Sequence, residues 1–433
     1  MKAVILAGGQ GTRLGLKDLP KPMAPIDGKP LLARQIELLA RYGVNEIVLL
    51  TGYLAEKIEA YFGDGSDFGV SISYVKEEAP LGTAGAVGQL KGLLQERFLV
   101  LYGDVVLDMD IRKLLEFDAE KPATASIVVH PNDHPYDSDL VETQGDQVTN
   151  FLLKPHAPDL IYSNLVNAAV YVLGPDVFDF IGEGEKADLC KDIFPRVLRA
   201  GKGIRAYHTA EYLKDMGTPG RIAKVENDVR SGKVRAMNRE NPRPAIFLDR
   251  DGVINKEVDH LCDPDKLELE EGVVDAIKKI NSSGYLAIVV TNQPAVAKGF
   301  LSVETLGFIH RKLETELGLA GAFVDRIYYC PHHPERGFEG EVPELKLNCD
   351  CRKPNTGMIE AAVRDFNVDL SKSFFVGDTT TDLQTARNAG VTSVLVQTGY
   401  AGRDGKYAVS PELSAINLLE AVNQILSTNQ VQP

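Results

Sequence analysis

The chain has 433 residues, of which 44% are hydrophobic and 25% are charged, and its net charge is −14. This length predicts two or three domains, and the negative charge argues against binding nucleic acid or an anionic membrane through a basic surface. No apolar run approaches the ~20 residues of a membrane-spanning helix, and the first residues predict a strand and not a signal peptide. We expect a cytoplasmic enzyme that holds anionic substrates by local charges.

The first predicted element is a buried strand that runs into a glycine-rich turn, residues 8–14. Such a turn lets backbone N–H groups approach a phosphate or a base without interference from side chains. It lacks the Gly-Lys-Ser/Thr ending of the Walker motif, and its spacing is not the dinucleotide fingerprint. Lys21, in Pro-Lys-Pro-Met, adds a second cation beyond Arg13, as a triphosphate and its departing pyrophosphate require.

Together, Gly-Gly-x-Gly-Thr-Arg-Leu and Pro-Lys-Pro-Met resemble the signature of the sugar-1-phosphate nucleotidyltransferases. The resemblance implies an α/β, Rossmann-like domain with a mixed sheet, in which Arg13 and Lys21 grip the nucleoside triphosphate. Residues 80–86, Pro-Leu-Gly-Thr-Ala-Gly-Ala, are similar to the loop of that family that faces the base and the ribose. The residues implied to bind the nucleotide are Leu6, Ala7, Gly8, Gly9, Gly11, Thr12, Gly82 and Thr83.

Two aspartates complete this pattern: Asp104 ends an apolar strand, and Asp215 lies in Lys-Asp-Met-Gly-Thr-Pro. In the family, two such aspartates bind the Mg²⁺ that bridges the nucleotide and the sugar phosphate. Oxygen ligands from separate segments suit magnesium, which shares its sites with substrate phosphates. A sugar-phosphate oxygen would attack the α-phosphorus in line, so that catalysis consists of positioning and charge neutralisation.

Two segments between these aspartates, around Lys154 and Asn167, resemble the sugar-phosphate site of the family. The resemblance implies that Lys154 binds the phosphate of the sugar and that Glu142 and Asn167 bind its hydroxyls. The chain departs from the family pattern at Leu153, where many relatives carry glutamate, and at Ala169, where many carry glycine. Taken alone, Lys154 also fits a solvated surface lysine.

A polar, proline-bearing segment, residues 230–244, precedes a fresh apolar strand and is typical of an interdomain linker. We therefore predict a nucleotidyltransferase domain over residues 1–238 and a second domain over residues 239–433. The two parts share a rhythm of strands and helices but not their motifs, so no internal repeat is indicated.

The second part opens with a short apolar run that ends in Asp249-Arg250-Asp251-Gly252. A buried parallel strand that delivers carboxylates to its C-terminal edge has this pattern. The first carboxylate is placed to attack, and the second can donate or accept a proton. The alternative is a plain turn at the end of a strand, because aspartate favours turns.

Three later stretches favour catalysis. A second strand ends in Thr291 and two amides, groups suited to hydrogen bonds with phosphate oxygens. Lys353, in Cys-Arg-Lys-Pro, can offset the charge of a phosphoryl group and of the nucleophile. A third strand ends at Asp378, which together with Asp249 would hold a hard cation such as Mg²⁺.

Nucleophile, hydroxyl, lysine and metal carboxylate, in this order, resemble the haloacid dehalogenase superfamily of phosphohydrolases over residues 243–425. The resemblance implies a second Rossmann-like domain with a minimal cap, in which Asp249 forms an aspartyl phosphate. Asp251 would protonate the leaving oxygen and then activate water, while Thr291 and Lys353 stabilise the transferring group. The implied Mg²⁺ ligands are Asp249, Asp378 and the main-chain carbonyl of Asp251, with Asp382 as support.

The second part also carries the pairs Cys330-Pro331-His332 and Cys349-Asp350-Cys351. Three thiolates and one imidazole in two close pairs suit a tetrahedral Zn²⁺ without an open position, which is a structural site. A disulfide is the alternative, although an intracellular chain keeps its thiols reduced. The isolated Cys190 and Cys262 are interpreted as buried or idle thiols. The predicted zinc ligands are Cys330, His332, Cys349 and Cys351.

Arg352 and Lys353 directly follow the last zinc ligand, and we hypothesise that zinc fixes both beside the nucleophile. A Cys-x-His…Cys-x-Cys loop leading into Arg-Lys-Pro resembles the heptose bisphosphate and histidinol-phosphate phosphatase branch of the superfamily. The resemblance implies that Asn292, Gln293 and Arg352 hold substrate or phosphate. The chain departs from this branch directly after Gln293, where Pro-Ala replaces the common Ser-Gly.

The two sets of motifs restrict each other's substrates. A phosphatase that leaves the anomeric phosphate of a sugar bisphosphate produces what a sugar-1-phosphate nucleotidyltransferase consumes. The fused arrangement resembles bifunctional enzymes of heptose activation, which implies GTP, heptose 1,7-bisphosphate and heptose 1-phosphate as substrates. It also implies Mg²⁺ in both domains and structural Zn²⁺ in the second. No nucleic-acid or membrane partner is expected, and the formation of a homo-oligomer stays open.

Two alternatives remain. One is a mannose or glucose 1-phosphate nucleotidyltransferase joined to a phosphatase of different specificity, such as a histidinol-phosphate phosphatase. The other is a regulatory sugar-nucleotide sensor in one half, which would lack catalytic carboxylates. The presence of Asp104, Asp215, Asp249 and Asp378 argues against the sensor.

Overall fold

A computed structural model describes residues 1–9, 11, 18–217 and 219–428. The chain forms two compact units. The first unit comprises Met1–His130, Ser138–Lys154 and Leu165–Arg239, and the second comprises Pro131–Asp137, Pro155–Asn164 and Glu240–Pro433. Among the described residues, no helix combines the length and the apolarity needed to cross a membrane.

The first unit is built on a mixed β-sheet. Its strands are β1 (Lys2–Leu6), β2 (Pro25–Ile26), β3 (Lys29–Pro30), β4 (Glu46–Thr51), β5 (Ser71–Lys76), β6 (Phe98–Tyr102), β7 (Val105–Asp108), β8 (Ala125–His130), β9 (Leu140–Gln144), β10 (Gln147–Leu152), β11 (Val166–Leu173), β12 (Ile204–His208) and β13 (Tyr212–Asp215). Nine of them form one sheet in the order β5-β4-β1-β6-β11-β8-β12-β10-β9, while β2–β3 and β7–β13 form two small antiparallel ribbons. Strands β5, β4, β1 and β6 are parallel.

Helices cover both faces of this sheet. They are α1 (Leu31–Arg41), α2 (Ala55–Phe62), α3 (Gly82–Gly88), α4 (Ile111–Glu120), α5 (Phe194–Arg199), α6 (Pro219–Arg230) and α7 (Lys233–Ala236). In β1, Val4 packs into one hydrophobic core and its neighbours Ala3 and Ile5 pack into another. A strand buried on both faces reads as a continuous apolar run, as the sequence of β1 does.

The second unit contains a six-stranded parallel sheet. Its strands are β14 (Ala245–Leu248), β15 (Leu286–Asn292), β16 (Arg326–Cys330), β17 (Phe374–Gly377), β18 (Thr392–Val396) and β19 (Leu413–Ala415), in the order β16-β15-β14-β17-β18-β19. Its helices are α8 (Val273–Ser282), α9 (Val303–Leu319), α10 (Gly357–Phe366), α11 (Thr380–Ala389) and α12 (Leu418–Thr428). A mixed sheet followed by a parallel sheet confirms the predicted fold class.

Two segments from the N-terminal part of the chain, 131–137 and 155–164, belong to the second unit, which the sequence did not indicate. The backbone N–H of Tyr162 donates to Oγ1 of Thr315 on α9 at 2.9 Å, and the Thr315 hydroxyl lies 3.1 Å from the carbonyl oxygen of Tyr162. The segment 155–164 therefore shares buried hydrogen bonds with a helix of the parallel-sheet unit. The domain bounds 1–238 and 239–433 stay a prediction.

Replacing Thr315 with valine should lower the unfolding free energy by ~1–3 kcal/mol, because the buried N–H of Tyr162 loses its acceptor while the side-chain volume is kept. Urea unfolding followed by circular dichroism measures the change. Thr305→Val, in the first turn of the same helix, is the control and should stay within ~0.5 kcal/mol of the parent chain. Equal stability of Thr315→Val and the parent would contradict the prediction.

Candidate active sites

The carboxyl ends of three neighbouring parallel strands meet at one edge of the second sheet. Asp249 directly follows β14, Thr291 lies near the end of β15, and Asp378 directly follows β17. The N–H of Asp249 donates to the carbonyl oxygen of Val376 at 3.0 Å, which ties the first aspartate to the neighbouring strand. The structure thus brings these three predicted residues to a common edge.

Three buried carboxylates form a cluster at this edge. Asp249, Asp378 and Asp382 offer oxygens that lie within 4.8 Å of one another. Nζ of Lys353 lies 2.9 Å from Asp249 and 2.6 Å from Asp382. Burial raises the pKa of Asp249 to about 7 and, with help from the neighbouring carboxylates, that of Asp378 to about 8. The donor set, three carboxylates against one lysine, fits a divalent cation that prefers oxygen ligands.

The members of this cluster are held by different groups. Asp382 accepts from Lys353 through one oxygen and from the Thr379 N–H through the other, at 3.1 Å, in the capping box of α11. Both of its oxygens are engaged, as a supporting residue requires. Asp378 accepts from the N–H of Tyr400 at 2.7 Å. Burial opposes the charge of Lys353, but the carboxylates of Asp249 and Asp382 outweigh burial and raise the lysine pKa.

The carboxylate of Asp251 is held by three side chains. Nη2 of Arg250 lies 2.8 and 2.9 Å from its two oxygens, and the side-chain amides of Asn255 and Gln293 donate at 2.9 and 2.8 Å. Burial raises the pKa of Asp251, but Arg250 and Asn255 outweigh it and lower the pKa. The same amide nitrogen of Gln293 lies 2.9 Å from Oγ1 of Thr291, so two predicted site residues share one amide.

The four predicted zinc ligands converge in one cluster. The Sγ atoms of Cys330, Cys349 and Cys351 lie 3.1–3.5 Å apart, and Nδ1 of His332 lies 3.3 Å from Cys351 and 3.7 Å from Cys330. A tetrahedral site with Zn–S bonds of ~2.3 Å separates its ligand atoms by roughly 3.8 Å. The sulfur atoms are too far apart for a disulfide, whose bond is ~2.05 Å. The donor set and its spacing therefore fit a structural Zn²⁺.

The residues after the zinc cluster are tied to it and to the sheet. Nη1 of Arg352 donates to the carbonyl oxygen of His332 at 3.2 Å. The N–H of Lys353 donates to Oδ1 of Asn292 at 3.0 Å, and Nδ2 of Asn292 donates back to the Lys353 carbonyl at 3.2 Å. Asn292 thus holds the backbone of the lysine and not a free phosphate position in this structure.

The first unit contains a cavity of about 260 Å³ beside the ends of β1 and β6. Lys21 and Asp104 line it and form an ion pair with each other. The predicted nucleotide residues that line it are Leu6, Gly8, Gly9, Gly82 and Thr83. Ala7 instead is buried and donates its N–H to Leu50, and Gly11 adopts a positive φ of 67° next to Lys21. Thr12 and Arg13 lie outside the described residues.

The two predicted magnesium aspartates of this unit lie on adjacent segments. Asp215 is paired with Val105, the residue after Asp104, in the antiparallel ribbon of β7 and β13. The N–H of Met216 donates to the carbonyl oxygen of Asp104 at 3.0 Å. The side chain of Asp215 is paired with Arg221 at 2.6 Å. The backbone thus brings Asp104 and Asp215 together, while each carboxylate has a cation of its own.

The predicted sugar-phosphate residues are brought together only in part. Asp139 accepts the Lys154 N–H through its side chain at 3.1 Å and the Asn167 N–H through its carbonyl at 3.0 Å. Glu142 accepts from an asparagine of β10, and the described lining of the cavity includes none of these predicted residues. Ala169 has a φ of +57°, a conformation that costs a residue with Cβ but not glycine, which explains the glycine of the family pattern.

Sequence analysis missed Glu77, which lines the cavity next to Gly8. Its half-buried carboxylate accepts the N–H of Leu81, and burial raises its pKa. The signal was its position directly after β5 and just before the loop 80–86, but nothing in the spacing marks it as part of the cavity. Arg250 was also missed, since it was treated as a spacer between two aspartates.

Replacing Gly252 with alanine should lower the rate of the expected phosphate release by ~100-fold or more, because small displacements of active-site groups can lower a rate by that factor. Its φ is +76°, and an added Cβ would overlap the carboxylate of Asp378. Gly390→Ala is a matched control, because its φ is +70° but no atom of the described residues lies within 4 Å of the added Cβ. Phosphate release from p-nitrophenyl phosphate is the measurement, and equal effects of the two substitutions would contradict the prediction.

Comparison with known proteins assigns both parts of the chain. Residues 2–232 match the nucleotidyl transferase family, and residues 350–421 match the HAD-hydrolase-like family. D-glycero-D-manno-heptose-1,7-bisphosphate 7-phosphatase of Thermosynechococcus vestitus is 41% identical over 191 residues, which are 42% of this chain and 96% of that protein. D-glycero-beta-D-manno-heptose-1,7-bisphosphate 7-phosphatase of Haemophilus ducreyi is 41% identical over 161 residues, 37% of this chain and 86% of that protein.

For the N-terminal part, mannose-1-phosphate guanylyltransferase of Mycobacterium tuberculosis is 36% identical over 235 residues, which are 53% of this chain and 65% of that protein. The family match over residues 2–232 and the nearly complete coverage of the phosphatase relatives agree with the two centres described above. The chain therefore belongs to the nucleotidyl transferase family through its N-terminal half and to the HAD-like heptose bisphosphate phosphatases through its C-terminal half.

Proposed function

We propose that this bifunctional enzyme removes the 7-phosphate of D-glycero-D-manno-heptose 1,7-bisphosphate and then transfers GMP from GTP to the heptose 1-phosphate, giving GDP-heptose and pyrophosphate. The observation that carries the proposal is the coexistence of a Lys353-paired carboxylate cluster in one unit and the Lys21–Asp104 cavity in the other. The names of the relatives, heptose bisphosphate phosphatases and a guanylyltransferase, support the choice of substrates.

In the phosphatase reaction, a carboxylate oxygen of Asp249 attacks phosphorus while the bond from phosphorus to the sugar oxygen breaks. Asp251 would donate a proton to that oxygen, for which the charge of the bound phosphate must offset the lowering of its pKa by Arg250 and Asn255. Its carboxylate would then take a proton from the water that hydrolyses the aspartyl phosphate. Lys353 and Thr291 stabilise the transferring phosphoryl group. Asp249, Asp378 and the main-chain carbonyl of Asp251 would hold Mg²⁺, which would supply further positive charge. Arg352, Asn292 and Gln293 would help to hold the substrate or its phosphate, which requires that Asn292 release the backbone of Lys353 or that Gln293 release Asp251.

The zinc cluster has a structural role in this proposal. Cys330, His332, Cys349 and Cys351 would hold Zn²⁺ through four protein ligands, which would leave no ligand position for a substrate. It would fix the loop that carries Arg352 and Lys353, because a metal can stabilise a segment without a core of its own.

In the transferase reaction, a phosphate oxygen of the sugar 1-phosphate attacks the α-phosphorus of the nucleotide and pyrophosphate departs. Lys21, together with Arg13 of the glycine-rich turn, offsets the negative charge of the triphosphate, and Thr12 of the same turn binds the nucleotide. Asp104 and Asp215 would hold Mg²⁺, which would offset the negative charge of the substrate phosphates. The sugar phosphate would be bound by Lys154 through its phosphate and by Asn167 and Glu142 through its hydroxyls. None of these three residues belongs to the described lining of the cavity.

Glu77 supports guanine as the base. Guanine presents N1–H and an exocyclic amino group side by side, and a carboxylate accepts two parallel hydrogen bonds from such a pair. Uracil and thymine present one N–H between two carbonyls, which a carboxylate would repel, and adenine presents a ring acceptor beside its amino group. Because the Leu81 N–H also orients the carboxylate, Glu77 favours GTP over the other donors.

Replacing Glu77 with glutamine should lower kcat/KM for GTP by on the order of 100-fold, because the side-chain amide can no longer accept from both donors of guanine. A site that loses such matched hydrogen bonds loses its preference for the correct substrate. Turnover of UTP and dTTP should fall less or rise. Pyrophosphate release is measured with a panel of nucleoside triphosphates. Glu78→Gln is the matched control, since the neighbouring Glu78 is exposed; an unchanged base preference of Glu77→Gln would contradict the assignment.

Incubation with heptose 1,7-bisphosphate and GTP should yield GDP-heptose, detected by mass spectrometry. Asp249→Asn should abolish phosphate release but leave nucleotide transfer to added heptose 1-phosphate intact. Asp104→Asn should do the reverse, because each centre depends on its own carboxylates. Mannose 1-phosphate and glucose 1-phosphate are tested in parallel, and a clear preference for either over heptose 1-phosphate would refute the proposed sugar.

A further inference from the structure

Arg250 is fully buried, although it lies between the two catalytic aspartates of the phosphatase. Its Nη2 binds both oxygens of Asp251, and its Nε lies 3.2 Å from Oδ1 of the same carboxylate. A guanidinium keeps its proton and has donors only, so each buried N–H needs an acceptor. One edge of the guanidinium is thus devoted to Asp251, and the opposite nitrogen, Nη1, needs another partner.

That partner is His310, on α9 and 60 residues away in the chain, whose Nε2 lies 3.2 Å from Nη1 of Arg250. Because arginine can only donate, the imidazole must accept through Nε2 and therefore carries its proton on Nδ1. Burial, followed by the charge of Arg250, lowers the pKa of His310 to about 3, so the ring stays neutral. The ring of Tyr329 packs beside it, with centroids 5.5 Å apart.

We propose that His310 is a positioning residue for the acid–base step of the phosphatase, acting on Asp251 through Arg250. The inference rests on the phosphatase function proposed above. By accepting from Nη1, His310 fixes the plane in which the other edge of the guanidinium binds Asp251. Without this acceptor, the buried N–H would be left unpaired at a cost comparable to a hydrogen bond. Arg250 would then turn toward another acceptor and carry Asp251 with it.

This role predicts a kinetic pattern that a general loss of stability would not produce. The sugar oxygen needs a proton from Asp251 to leave, whereas p-nitrophenolate leaves without one. Displacement of Asp251 should therefore slow formation of the aspartyl phosphate from heptose 1,7-bisphosphate but not from p-nitrophenyl phosphate. Hydrolysis of the aspartyl phosphate needs Asp251 as a base with either substrate, so steady-state turnover should fall for both.

The test compares His310→Phe, which has no acceptor, with His310→Gln, whose side-chain oxygen can take the place of Nε2. We expect His310→Phe to lower kcat for heptose 1,7-bisphosphate by about 10–100-fold with little change in KM. In His310→Phe, the rapid first release of p-nitrophenolate should persist. In His310→Gln, kcat for heptose 1,7-bisphosphate should return to most of its parent value. Leu313→Ala, which leaves a cavity beside the same helix, is the control for destabilisation. It should keep the rates of both steps, formation and hydrolysis of the aspartyl phosphate.

Equal losses in His310→Phe and His310→Gln, or parent-like turnover of His310→Phe, would overturn the role of His310 while leaving the phosphatase intact. Absence of phosphate release from the parent enzyme would overturn the phosphatase and this role together. Should His310→Phe fail to fold, imidazole nitrogen NMR of the parent enzyme decides, with His310→Gln giving the assignment. A neutral ring protonated on Nδ1 supports the proposal, and one protonated on Nε2 refutes it.

Discussion

The carboxylates of Asp249, Asp378 and Asp382 lie buried within 4.8 Å of one another, and Lys353 binds two of them. Three negative charges this close cannot all persist in a buried site against a single lysine. Burial, followed by the charge of the neighbouring carboxylates, raises the pKa values of Asp249 and Asp378. A divalent cation would offset this negative charge. Burying these three carboxylates together is electrostatically unfavourable, and the same unfavourable charge would favour the binding of a divalent cation.

The position of Lys353 depends on two anchors outside the carboxylate cluster. Cys351, two residues earlier, belongs to the Cys/His cluster, and Asn292 of β15 pairs with both backbone groups of the lysine. The loop before it has little regular structure beyond the short turn Pro343–Leu345. A metal in the Cys/His cluster would supply the rigidity that a hydrophobic core gives elsewhere. Two metals would then act on Lys353. One would fix its backbone, and the other would bind within the carboxylate cluster with which the lysine is paired.

The sequence predicts the parts of these centres that follow from strand geometry or from ligand spacing. Asp249, Thr291 and Asp378 could be placed together because parallel strands bring their carboxyl ends to one edge. The four members of the Cys/His cluster could be placed together because of their paired spacing. Glu77 and His310 could not, since their partners are set by tertiary packing. His310 lies in the middle of an amphipathic helix, where it is indistinguishable from a core residue. The two loop segments that join the second unit have no periodic pattern either.

The two centres balance charge in different ways. In the transferase unit, Asp104 is paired with Lys21 and Asp215 with Arg221, and these carboxylates are 35% and 45% exposed. Water and one cation for each carboxylate leave little unbalanced charge before substrate arrives. A bound triphosphate would compete for Lys21, and Asp104 would then lose its partner beside several new negative charges. We therefore expect the transferase centre to bind magnesium strongly only with its nucleotide, and the buried phosphatase cluster to bind a cation before any substrate arrives.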